Sequence, residues 1–163
     1  AVFSSVTHIG SNPALLGLIF RPTIVVRNTY ENIKATGTFT LNHINESLLE
    51  DAHHTSAKYD ANVSEFDFTN LEEDYQNGFV RASPIKMAMA YSEEYLIKAN
   101  NTILMIGEIK DLYVEGNLLQ QDGFINLSEA NIAAINGLDG YAIPKLKTRL
   151  AYQRPKKITH NTV

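Results

Sequence analysis

Four segments decide how this chain is read: Ala1-Val2-Phe3-Ser4-Ser5, then Asn12-Pro13 followed by the apolar run Ala14 to Phe20, then Arg27-Asn28-Thr29-Tyr30-Glu31-Asn32-Ile33, and finally Gly37-Thr38-Phe39-Thr40-Leu41-Asn42. In order they read as a strand over Ala1 to Ile9, a turn, a strand buried on both faces, a helix start carrying a cation, and another strand. Asn28 is placed as a helix N-cap. Glu31, three residues on, completes a capping box variant by reaching back to the cap N–H. Gly37 closes that helix in the left-handed conformation. A helix N-terminus beside an Arg and hydroxyls suits a phosphate dianion, so the stretch points to a phosphorylated cofactor.

Outward from this stretch the pattern stays rich in strands. Thr38 to Ile44 alternates as a strand. Asn45 is placed as the cap of a second helix, roughly Glu46 to Lys58, with Leu48, Leu49 and Ala52 on its inner face. Tyr59 to Ser83 reads as a long polar excursion with one helical turn near Leu71 to Tyr75, and loops of this length are usually functional. From Ile85 the alternation returns: Met87, Met89 and Tyr91, then Ile103, Met105, Gly107 and Ile109. Asn100-Asn101 supplies the turn of a long antiparallel hairpin. Ser128 is placed as the cap of a short helix through Ile135, stopped by Asn136-Gly137. The tail from Lys145 to Lys157 carries six basic residues and two apolar anchors, Leu150 and Tyr152. The sum is a β-rich single domain over residues 1–163, most naturally a closed or partly closed antiparallel barrel.

Composition narrows the function classes. A chain of 163 residues supports one sizeable core. Its net charge of −4 argues against general nucleic-acid binding, which needs a basic surface. There is no Cys, so disulfides, thiolate metal sites and thiol redox chemistry are excluded, which fits a cytoplasmic protein. The run Ala14 to Phe20 is too short to span a bilayer. The chain begins without Met on what reads as mid-strand, so further N-terminal residues are expected to precede it.

Candidate chemistry is concentrated in few places. Arg27, Thr29 and Asn32 can form a phosphate site from a bidentate donor, a hydroxyl and free backbone N–H groups. Spacing alone favours a capped helix with a surface Arg, since Asn-x-x-Glu occurs at many helix starts. Ser4 and Ser5 can donate to a ligand from a strand end, although local evidence favours ordinary edge-strand serines. His53 and His54 are adjacent and diverge by about 100° on a helix. None of the five histidines falls in a metal-binding motif, so no metal is expected. Nucleophile-elbow, Walker and dinucleotide-binding glycine motifs are missing from the sequence.

Taken together, the segments resemble the flavin reductase-like family, the FMN-binding split barrels that include flavoredoxin. Ala1-Val2-Phe3-Ser4-Ser5 resembles the family's Ala-Pro-Phe-Ser strand, with Val2 in place of Pro. Asn12-Pro13 and the strand after it resemble its Pro-Pro-Leu segment. Arg27-Asn28-Thr29 with Asn32-Ile33 resembles its Asp-Thr-x-x-Asn-Ile helix start, and Phe39-Thr40-Leu41-Asn42 its Phe-x-Val-Asn strand. Thr55-Ser56-Ala57-Lys58-Tyr59 and Ser64-Glu65-Phe66 match its Ser-x-x-Phe and Glu-Phe positions. Ile106-Gly107-Glu108-Ile109 matches its Ile-Gly-Glu-Val strand, and Arg149-Leu150-Ala151-Tyr152 with Arg154-Pro155 its terminal segment. Where the family often has a His just before the Ile-Gly-Glu strand, this chain has Asn100-Asn101-Thr102.

The resemblance implies a mainly β fold: an FMN-binding split β-barrel with short peripheral helices, its N-terminal strands lying before residue 1. It implies a homodimer with FMN near the subunit interface. Phe3, Ser4 and Ser5 would lie beside the isoalloxazine and ribityl groups. Arg27, Thr29 and Asn32 would hold the phosphate, with Asn42, Thr55 and Ser56 near the flavin. The implied activity is an NAD(P)H-dependent flavin reductase passing electrons to a small-molecule or protein acceptor, with no nucleic-acid or membrane partner. The alternatives are a non-enzymatic flavin electron carrier and a split-barrel binding module without flavin.

Overall fold

Two long runs of alternating apolar residues joined by a turn that tolerates positive φ form a hairpin, and this hairpin organises the chain. The computed structural model describes residues 1–74 and 78–155. In chain order the strands and α-helices are β1 (Val6–Ser11), β2 (Ala14–Phe20), α1 (Asn28–Thr36), β3 (Thr38–Asn42), α2 (Leu49–His54), β4 (Glu73–Asp74), β5 (Phe79–Val80), β6 (Ile85–Ile97), β7 (Thr102–Val114), β8 (Ala134–Asn136) and β9 (Gly140–Ala142). Short 3-10 turns cover Glu46–Leu48 and Glu65–Phe68. Asn101 takes φ 57° at the β6–β7 turn, where Asn is among the few side chains that sit comfortably. The main sheet is antiparallel, with five strands in the order β1-β2-β7-β6-β3.

The core lies against one face of this sheet. Leu18 and Phe20 from β2, Ile33 from α1, and Ile103 and Met105 from β7 are buried together, with Phe3, Tyr30, Phe39, Leu41 and Tyr91 packed around them. A smaller cluster of Ile85, Leu118 and Ile132 closes the far end. Close packing also explains Gly107. A Cβ there would come within 2.7 Å of the Phe39 ring and 3.3 Å of the Ala90 carbonyl oxygen. Among the described residues no helix is long and apolar enough to cross a membrane.

The mainly β architecture, the hairpin turn, the Thr38 strand and the left-handed Gly37 all match the sequence reading, with Gly37 at φ 71°. Other elements differ. Regular pairing begins at Val6, not Ala1, and leaves Phe3 to Ser5 free to line a cavity. Asn28 is already helical, and Arg27 occupies the cap position without any side-chain cap bond, so the capping box does not form. The second helix is short, because Asn45 holds the Ser47 hydroxyl instead of a backbone N–H and the α-helix ends at His54. Of its expected inner face only Ala52 is buried.

The Tyr59 to Ser83 excursion holds the 3-10 turn Glu65–Phe68 and the β4–β5 pair rather than a helical turn from Leu71. Tyr75, the end of that expected turn, lies outside the described residues, as does Lys157 at the end of the tail. Ser128 caps no helix. Its Oγ accepts from the Leu146 N–H at 2.6 Å, tying down the tail, and the residues after it form the β8–β9 hairpin. The tail is held by Arg149, which pairs with Asp122 at 2.6 Å and lies over the Phe124 ring. Leu150 and Tyr152, expected as anchors, are 83% and 89% exposed.

Met105 is fully buried at the centre of the core. Met105→Ala removes its packing against this cluster. We expect a loss of about 2–5 kcal/mol, read as a lowered urea midpoint with unchanged slope.

Candidate functional site

The start of α1 is the electrostatic focus. Arg27 has extended backbone at φ −118° and ψ 97°, and the first closed turn is the Glu31 N–H donating to the Arg27 carbonyl at 3.0 Å. The N–H groups of Asn28, Thr29 and Tyr30 therefore precede any intrahelical acceptor and give this end a partial positive charge. Nε of Arg27 is buried and has no hydrogen-bond partner. A buried orphan donor is costly unless something absent from the protein itself accepts from it.

These groups border a cleft of about 390 Å³. Its walls bring together residues far apart in sequence. Ser4 and Ser5 come from the N-terminal segment, Arg21 from just after β2, Arg27 and Thr29 from the start of α1, and Ser56 and Lys58 from just after α2. A larger cavity of about 680 Å³ adjoins it, sharing Ala1 to Ser4, Thr55 and Glu65 as common wall. This second space is bounded mainly by apolar side chains, among them Leu16, Leu41, Met87 and Ile109, with Asn42 and His43 at the end of β3.

The residues expected at a ligand divide into groups. Phe3, Ser4, Ser5, Arg27, Thr29, Thr55 and Ser56 all border the smaller cleft. Asn42 borders only the larger cavity, and its amide is already engaged, accepting from the Val80 N–H at 3.0 Å and donating to Thr40 Oγ1. Asn32 borders neither space. It lies on the exposed side of α1, where its carbonyl accepts from the Thr36 hydroxyl. The Thr55 hydroxyl donates to the Ala52 carbonyl at 2.7 Å. Among the described residues the hydroxyls of Ser4, Ser5, Thr29 and Ser56 make no hydrogen bond and are available to a ligand.

Arg21, Lys58 and His43 were not singled out from the sequence. None sits in a local motif, and only the folding of β2, α2 and β3 toward one another brings them to these walls. Burial holds the His43 imidazole below its usual value near 6.5, so it is neutral at neutral pH.

A network behind the cleft fixes α1. Tyr30 Oη donates to Glu94 Oε1 at 2.9 Å, and Lys34 Nζ lies 3.3 Å from Glu94 Oε2. Lys34 also donates to Tyr91 Oη at 2.9 Å. Burial, with the Glu94 carboxylate, pushes the Tyr30 phenol up, so it remains a donor. The Tyr30 ring meets Phe20 edge-on at 5.6 Å, and Phe20 meets Phe3 edge-on at 4.9 Å. The helix start and the Phe3–Ser5 segment are thus packed as one unit.

A family model described as the flavin reductase like domain matches residues 1–128. The fold is also that of solved split-barrel proteins. A candidate flavin reductase with a split barrel domain from Shewanella frigidimarina NCIMB 400 is 44% identical at a TM-score of 0.87, covering 93% of this chain and 77% of that one. Flavoredoxin of Desulfovibrio vulgaris (Miyazaki F) is 17% identical at 0.76, covering 92% and 80%. An FMN-binding protein from Thermus thermophilus, solved with bound 1-cyclohex-2-enone, is 15% identical at 0.70, covering 90% and 78%. Among curated proteins no sequence matches.

The neutral His43 has a consequence for stability. Unfolded, its imidazole binds a proton at about pH 6.5, whereas in the folded chain it does so only at lower pH. Between those two values the unfolded state holds more protons, so stability falls as pH drops through that window. His43→Gln is expected to flatten this part of the profile. Denaturant midpoints measured in steps from neutral pH to about pH 5 check it; a slope unchanged in the variant contradicts it.

Proposed function

We propose, from the premise that this chain belongs to the flavin reductase-like family, that it is a cytoplasmic FMN-dependent oxidoreductase. In this reading NAD(P)H is the reductant, and a small molecule or a protein accepts the electrons. The observation that carries the proposal is the buried, unpartnered Nε of Arg27 beside the free amides of α1, in a cleft that adjoins an apolar cavity. A ligand with one dianionic end and one broad flat end fits that pair of spaces. When bound, the flavin supplies the hydride chemistry, and the protein contributes binding, orientation and exclusion of water.

The residues divide the work. Arg27 and the N–H groups of Asn28, Thr29 and Tyr30 face the phosphate, with the Thr29 hydroxyl as a further donor. Phe3, Ser4 and Thr55 border both spaces and would stand beside the ribityl chain and the ring edge. The Tyr59 to Ser83 segment covers the apolar side through Glu65, Phe66 and Leu71. The chain has no dinucleotide-binding glycine motif, so a nicotinamide is held loosely in the same space. Reductant and acceptor would then take turns in that space.

A homodimer belongs to this proposal. Ile24, Val26, Leu138, Leu150 and Tyr152 are 71–92% exposed, and burying them against a second copy removes that cost. Light scattering at micromolar concentration is expected to give twice the chain mass, and a monomer contradicts it.

The first test is the visible spectrum of the purified protein before and after NADH or NADPH. Bleaching of a flavin band supports the reductase. A flavin spectrum without any NAD(P)H oxidation moves the protein to the electron-carrier reading. The second test concerns the phosphate. Arg27→Ala should weaken FMN binding by about 1.5–3 kcal/mol and leave riboflavin binding nearly unchanged, because riboflavin lacks the phosphate. Equal losses for both ligands remove Arg27 from the phosphate. Initial rates against NADH at several acceptor concentrations should give parallel lines, and intersecting lines reject the shared space.

A further inference from the structure

We propose that the stacked pair Tyr59–Phe68 is a platform for a purine base, the adenine of an adenosine diphosphate unit. The proposal rests on the flavin reading above, because that reading supplies the adenine: NAD(P)H carries one, and so does FAD where it takes the place of FMN. The two rings lie 4.8 Å apart at 19° to one another. Phe68 is 57% exposed although Tyr59 covers one of its faces, so the other face is open. Tyr59 borders the smaller cleft, which puts the pair at the rim of that cleft.

Both rings are held in place. The Tyr59 hydroxyl is hydrogen-bonded to His54 Nε2 at 2.7 Å. Phe68 closes the 3-10 turn Glu65–Phe68, where the Phe66 N–H donates to the Ser64 hydroxyl at 3.3 Å. Just beyond it, the Asn70 N–H and side-chain amide donate to the Asp51 carboxylate at 3.0 and 3.2 Å. A ring fixed in advance loses little further freedom when a base lies on it.

Size selects the ligand class. The residues flanking Phe68 in the chain, Asp67, Thr69 and Asn70, are polar, so the turn offers one ring rather than a patch. A specific protein interface buries about 800 Å² on each partner, far more than one ring provides. A flat base matches a single ring, and stacking on an aromatic side chain contributes substantially to nucleotide affinity. Reach then connects the platform to the reaction. Phe66 borders the larger cavity. It lies two residues before Phe68, and two Cα steps span at most about 7.6 Å. A dinucleotide with its nicotinamide in that cavity can pass round the turn through its flexible diphosphate and lay its adenine on Phe68. The platform thus anchors one end of a reductant whose other end is loosely held.

Adenosine and ribose 5-phosphate, one with the base and one without, are the probes. In saturation-transfer NMR on the FMN-saturated protein, adenosine is expected to receive saturation at its base protons, and ribose 5-phosphate none. Phe68→Leu keeps an apolar side chain but no ring. It should cut the adenosine signal at least about fivefold, and Phe68→Trp should keep it. The kinetic arm compares NADH with reduced nicotinamide mononucleotide, which lacks the adenosine half. If the base is the reductant's, Phe68→Leu raises the KM for NADH about five- to tenfold and leaves kcat and the KM for the mononucleotide unchanged. If the base is the flavin's, the variant weakens FAD but not FMN when flavin-free protein is titrated, and the KM values stay put. Either result keeps the platform, and loss of the adenosine signal with neither shift overturns it. An unchanged adenosine signal in a folded Phe68→Leu protein also overturns it. So does a variant that loses the dimer while adenosine still binds, which gives the ring to a second copy. FMN retained with no adenosine signal sinks this inference alone. Failure to bind FMN sinks the flavin reading, while adenosine on the flavin-free protein still decides whether Phe68 holds a base.

Discussion

The pairing of β6 with β7 is the constraint on which the rest of the structure depends. The two thirteen-residue strands are joined through Asn101 in the left-handed conformation. β2 adds to the free edge of β7, and β3 to the free edge of β6. Each added strand ends at a ligand space: Ile19, Phe20 and Arg21 border the smaller cleft, and Leu41, Asn42 and His43 the larger cavity. A slip of one residue in the hairpin would turn Met87, Met89 and Met105 to the opposite face and carry both walls with them. The shift beside Met89 leaves Lys110 of β7 unpaired and that after Tyr91 leaves Ser92 of β6 unpaired, so the two offset one another and the original register returns.

A second constraint places α1 on this sheet. Gly37 turns the chain, and its carbonyl accepts from the Tyr91 N–H at 2.8 Å, so the end of the helix is stitched to β6. Lys34 lies over the Tyr91 ring at 4.3 Å, and Glu94 faces both Lys34 and Tyr30. Glu94 is thereby engaged by a cation and a phenol from the body of α1. Among the described residues no carboxylate pairs with Arg27, so the guanidinium at the start of the helix keeps its charge for a ligand. The same arrangement that fixes the helix leaves its positive end unanswered.

What could be read from the sequence follows from how local each signal is. The β6–β7 hairpin, the Thr38 strand and Gly37 are specified by alternation and by residues that accept positive φ, both visible within a few positions. The helix from Ser128 failed because the Ser128 hydroxyl is engaged by the tail eighteen residues away, at Leu146. Asn28 and Asn45 have capping side chains, yet neither caps a backbone N–H. Arg27 takes the first position, and Ser47 takes the amide oxygen of the second. At the candidate site, Arg27 and Thr29 were singled out because their residue types suit a phosphate, and Ser4, Ser5 and Ser56 because their segments resemble one family; all five border the smaller cleft. Asn32 was placed through the same resemblance, and it lies on the exposed side of the helix. Arg21, Lys58 and His43 had no local signal, since only tertiary packing gives them a common wall.

The distribution of charge ties these levels together. The chain as a whole carries −4, yet Arg21, Arg27 and Lys58 gather around one cleft of about 390 Å³. Net charge governs long-range steering, whereas a bound ion responds to groups within about a Debye length, roughly 8–10 Å. An extended basic face would suit a polymer of phosphates. Three cations and a helix end around a small concavity suit a single phosphate, and the acidic remainder of the surface repels the polymer. The neighbouring cavity has no Lys or Arg among its described residues, and Glu65 borders both spaces. From the smaller cleft to the adjoining cavity the lining changes from cation-rich to mainly apolar, a gradient that favours one orientation for a ligand charged at one end and neutral at the other.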